Sequence, residues 1–96
     1  MSSSFAHVVT DNPQRLITRL CRHWAHKFPV TLSEGHGEIA LSIGQCTLEA
    51  QDGQLAVRLR AAGQEALPQL EQVVASHLQR MAGADPLPEF TWRRQD

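Results

Sequence analysis

Between Phe28 and Ala61 the chain alternates apolar and polar residues through four successive segments separated by glycine-containing turns. Phe28, Val30 and Leu32 point one way, and Ser33-Glu-Gly-His-Gly37 then turns the chain. Ile39, Leu41 and Ile43 alternate with Glu38, Ala40 and Ser42 as far as Gly44. Cys46, Leu48 and Ala50 alternate with Gln45, Thr47 and Glu49 as far as Asp52-Gly53. Leu55, Val57, Leu59 and Ala61 alternate with Ala56, Arg58 and Arg60. A period of two matches the pleat of a strand, so these segments predict an antiparallel meander with one apolar and one wet face. The apolar face must be covered, and that requirement limits the rest of the fold.

Two helical patterns supply the cover. Asp11-Asn-Pro-Gln14 reads as a helix start, with Asp11 able to cap, Gln14 three residues on, and Pro13 suited only to a first turn. Leu16, Ile17, Leu20, Cys21 and Trp24 then fall on one arc, and Pro29 requires the helix to have frayed by about Lys27. A second helix is expected from about 64 to 81, ending at Gly83. The valine-rich run 5–9 predicts a first strand, and Phe90 and Trp92 alternate with Thr91 and Arg93 in a last one. The expected order is β-α-β-β-β-β-α-β. It is an α+β arrangement, with a single antiparallel sheet and two helices on one face, and it resembles the TATA-box-binding-protein-like topology. That topology hosts many unrelated functions, so it selects none.

Residues 1–96 are expected to form a single α+β domain, with a core just large enough to fold without disulfides or a structural metal. No apolar run approaches the ~20 residues of a membrane span. Met1-Ser-Ser-Ser has neither the basic region nor the apolar core of a signal peptide, which predicts a cytoplasmic location. Nine basic and ten acidic residues give a net charge of −1. Such a chain has no global field to recruit nucleic acid or anionic lipid, so neither is an expected partner. Cys21 and Cys46 both occupy core slots and are expected to be reduced, buried thiols.

His77 falls inside the apolar arc formed by Leu67, Leu70, Val73, Val74, Leu78 and Met81. An imidazole among aliphatic side chains requires a hydrogen-bond partner, a metal or a substrate. On the first helix Arg15, Arg19, Arg22, His23 and His26 share the polar side. They form either a solvated basic face or a strip that grips carboxylate or phosphate. If the helices lie side by side, His23 and His77 meet at their seam, with Arg19 and Arg80 at its rim. A thiol from Cys21 or Cys46 would complete a Zn²⁺ or Fe²⁺ site. The spacing supports this weakly. Cys21 and His23 point well apart on a helix, and His26, better spaced from His23, points to water. Catalysis is less favoured still. Cys46 sits in a strand, Lys27 is the only lysine, and no nucleophile, base and orienter are visible together.

Several stretches together resemble a bacterial family designated domain of unknown function 2218. They are Thr10-Asp11, Leu20-Cys21-x-His23-x-x-His26-Lys27 and Gly44-x-Cys46-x-Leu48-x-Ala50. They continue with Leu55-x-x-x-Leu59-x-Ala61-Ala62, Val73-Val74-x-x-His77-Leu78-x-Arg80 and Trp92. The resemblance implies no established activity. It points towards iron handling beside siderophore-interacting flavin reductases, and it draws attention to Cys21, His23, His26, Cys46, His77 and Arg80. An aldolase name attached to some members does not suit a chain this short, because an aldolase barrel needs ~250 residues. Two readings follow. One is a module that binds a metal, a metal chelate or an anionic small molecule through His23 and His77, with Arg19 and Arg80 beside them. The other is an accessory domain, a homo-oligomer among its forms, that docks a partner on the wet sheet face through Glu38, Thr47, Glu49, Arg58, Arg60 and Arg93.

Overall fold

A computed structural model describes residues 2–84 and 86–95. The elements run β1 (Ser2–Val9), α1 (Pro13–Trp24), β2 (Val30–Ser33), β3 (His36–Leu41), β4 (Gly44–Gln51), β5 (Gln54–Ala61), α2 (Leu67–Ala82) and β6 (Arg93–Gln95). A 3₁₀ turn over Gln64–Ala66 leads into α2. The order is the expected one. All six strands form a single antiparallel sheet in the order β2-β3-β4-β5-β1-β6. The first strand therefore lies inside the sheet, between β5 and β6. No helix among the described residues is long and apolar enough to cross a membrane.

Both helices pack on the same sheet face, α1 over β2, β3 and β4, and α2 over β5 and β1. Ile17, Leu20, Ile39, Leu48, Leu55, Leu59, Leu70 and Leu78 form the centre of the core. Helix α1 sits close to the sheet because β3 carries a glycine beneath it. A methyl at Gly37 would lie 2.7 Å from Cys21 Sγ and 2.9 Å from Ile17 Cγ2.

The element ends differ from the sequence reading, each for an identifiable reason. Strand β1 begins at Ser2, because Ser2 and Ser4 alternate inward with Ala6 and Val8 and are themselves buried. The cap of α1 is Asn12, whose side chain accepts from the Arg15 amide. Gln14 makes no capping box: its Oε1 accepts from the Gly35 amide in the β2–β3 turn. Helix α1 ends at Trp24, and α2 begins at Leu67 with Pro68 in its first turn. Gly83 closes α2 at φ 65°, a conformation glycine adopts without strain. The last strand starts only at Arg93. Phe90 and Trp92 precede it and stack on each other, with centroids 5.6 Å apart.

Candidate functional site

Helices α1 and α2 run antiparallel across the sheet, and their seam holds the candidate site. At one end Arg19 Nη1 donates to the Met81 carbonyl at 2.7 Å, satisfying an otherwise open C-terminal carbonyl of α2. At the other end the His23 and His77 rings lie 5.4 Å apart, centroid to centroid. Trp24 forms the floor, 4.8 Å from His77 and 6.3 Å from His23, and meets Phe28 edge-on at 6.3 Å. The alternation that buries Trp24 leaves His23 exposed at the edge of the helix.

His77 is half-buried, not at the centre of the core. The buried stripe of α2 consists of Leu67, Leu70, Glu71, Val74 and Leu78, which turns Val73 and His77 onto the flank facing α1. Its Nδ1 lies 2.7 Å from the Val73 carbonyl oxygen. A carbonyl only accepts, so Nδ1 carries the proton there, and the Nε2 of the neutral ring presents its lone pair.

The other expected ligands do not join them. Cys21 is buried on the sheet side of α1, beside Gly37. His26 lies beyond the end of α1, exposed, and Arg80 is also exposed. Among the described residues no group of three or more His, Cys, Asp or Glu side chains is placed to hold a metal ion. The expected combination of His23, His26, His77 and Cys21 is therefore reduced to the His23–His77 pair. The reason is geometric: residues 21 and 23 of one helix cannot both face the same seam. Both thiols are free. Burial pushes the Cys21 thiol up, and burial plus the neighbouring Cys21 pushes Cys46 further up. A thiol held protonated in this way is neither a nucleophile nor a ready metal ligand.

The sequence reading missed a buried polar junction beneath α2. Ser4 Oγ donates to Glu71 Oε2 at 2.6 Å, and Arg94 grips the same carboxylate through Nε at 3.1 Å and Nη2 at 2.9 Å. Hydrogen bonds from Arg94 hold the Glu71 carboxyl below the usual carboxylate range, helped by Ser4 and opposed by burial. The visible signal was Glu71 itself, flanked at helical spacing by Leu67, Leu70, Val74 and Leu78.

Residues 5–93 match the family described as "Uncharacterized protein conserved in bacteria (DUF2218)". The fold is similar to the NMR structure of PA4090 from Pseudomonas aeruginosa, with a TM-score of 0.80 and 38% sequence identity. That likeness covers 97% of this chain and 96% of that one. No curated protein matches the chain.

Proposed function

The chain belongs to the DUF2218 family, a bacterial family with no assigned activity, and on that footing we propose that it is a small binding module whose His23–His77 seam takes a metal chelate. The observation that carries the reading is the 5.4 Å separation of the two rings. Two imidazole nitrogens bound to one tetrahedral ion at about 2.1 Å hold their ring centroids about 5 Å apart. The Nδ1 contact to Val73 supports the same reading, since ligating histidines regularly anchor their other ring nitrogen on a backbone carbonyl.

Two protein donors leave the ion's other positions to be filled by its own oxygen or nitrogen ligands, so the reading favours a chelate over a bare ion. Such a chelate is commonly anionic. Arg22 beside His23, and Arg80 one turn on from His77, supply compensating charge. The family resemblance, and not the geometry, points to an iron chelate as the ligand and a siderophore-interacting flavin reductase as the partner.

Trp24 provides the test. Cu²⁺–iminodiacetate leaves coordination positions open, and a bound Cu²⁺ beside the indole should quench its fluorescence. In a Trp92→Phe background, where only Trp24 emits, quenching should saturate. His77→Ala or His23→Ala should weaken the titration by at least about tenfold, the loss of one ligand. Quenching that is unchanged in both histidine variants would refute the reading.

A further inference from the structure

The sheet face opposite the helices is open, and its charges are sorted by strand. In register across one row stand Glu38 on β3, Thr47 on β4, Arg58 on β5, Phe5 on β1 and Arg93 on β6. The next row carries His36, Glu49, Ala56 and His7 in the same strand order. Acidic groups thus lie on β3 and β4, guanidinium groups on β5 and β6. A less polar stripe of Phe5, Val9 and Ala56 lies on β1 and the adjoining β5, inside the basic half, with Val9 67% exposed. Open grooves of about 260 and 410 Å³ flank Phe5 and His7 on this face.

We infer that this face is the contact surface of a homodimer, with a second copy of the chain as its occupant. A two-fold axis lying along the strands near the middle of the sheet places β3 and β4 of one copy over β5, β1 and β6 of the other. Each acidic half then meets a basic half, and it does so twice, as an isologous contact requires. A net charge of −1 leaves no global repulsion to oppose the encounter. Four strands spaced ~4.8 Å and ~26 Å long offer about 500 Å² per copy, about 1,000 Å² in all, the low end for a specific contact. The dimer is accordingly a weak one, held in register by charge. It leaves the helix seam on the outer surface.

The test uses charge reversal and the full chain. Sedimentation of the wild type should show dimers at about 0.01 M salt, with association weakened at least about tenfold at about 1 M, where the screening length falls to ~3 Å. Glu38→Lys with Glu49→Lys makes the face wholly basic, and Arg58→Glu with Arg93→Glu makes it predominantly acidic, with Arg60 its remaining guanidinium. Each double variant alone should be monomeric, and an equimolar mixture of the two should associate. All the changed side chains lie on the open face outside the core, and circular dichroism confirms that each variant is folded. A wild type that stays monomeric at low salt overturns the proposal. So does a folded pair of variants that fails to associate when mixed.

Discussion

Glu71 occupies a position where the pattern of α2 would accept a leucine, and it is only 8% exposed. Its burial is tolerable because Arg94 neutralises it through two hydrogen bonds while Ser4, fully buried, donates a third. The consequence for stability has a definite sign. The folded-state pKa lies below the ordinary value of 4.5. The carboxylate therefore contributes its full stabilisation above that value, and the contribution is lost as pH falls through the folded pKa. Arg94→Ala removes the main cause of the lowering and leaves burial opposed only by the Ser4 hydrogen bond. It should destabilise the fold at neutral pH by leaving the carboxylate without its counter-charge. The gap from the wild type should narrow in acid, where a protonated Glu71 needs no counter-charge. Urea unfolding at neutral and acidic pH measures both. A gap independent of pH would mean that the ion pair is not its source. The two cysteines give a simpler expectation. Both are buried and held protonated, so a thiol reagent should find no fast-reacting group in the native chain and two after denaturation.

Close approach of elements decides what a single methyl can do. Gly37 lets α1 approach β3, and Gly37→Ala should destabilise by about 1–3 kcal/mol through overpacking. Adding Cys21→Ala removes the Sγ that the methyl meets and should recover part of the loss, which a double-mutant cycle reads directly. At this scale the sequence was most legible where one period dominates. The four alternating segments from Phe28 to Ala61 became β2 to β5, and the core arc of α1, from Leu16 to Trp24, is the buried one. It was least legible where polar residues face inward. Ser2 and Ser4 look like a hydrophilic tail until Glu71 and Arg94 are beside them, and those partners are 67 and 90 positions from Ser4, beyond any local pattern. Glu71 also explains the rotation of α2: a buried glutamate moves the stripe, and His77 moves from the centre to the flank. The His23–His77 encounter was foreseeable because both helices need the one apolar sheet face. The absence of Cys21 from that encounter follows from helical phase alone.

In the whole molecule the two working surfaces proposed here lie on opposite sides of one sheet, so neither occupant obstructs the other. The position of β1 has a separate consequence. Strand β1 lies inside the sheet, and each of its neighbours comes much later in the chain: β5 at residues 54–61 and β6 at residues 93–95. The meander β2 to β5 with α1 is complete in sequence before β1 has both flanks available. Until Arg94 is made, the carboxylate of α2 has Ser4 within reach but lacks its guanidinium partner. The order of synthesis and the order of closure therefore run against each other. During synthesis Phe5, Val8 and Val9 belong to an apolar strand that has no partner strand until residues 54–61 follow.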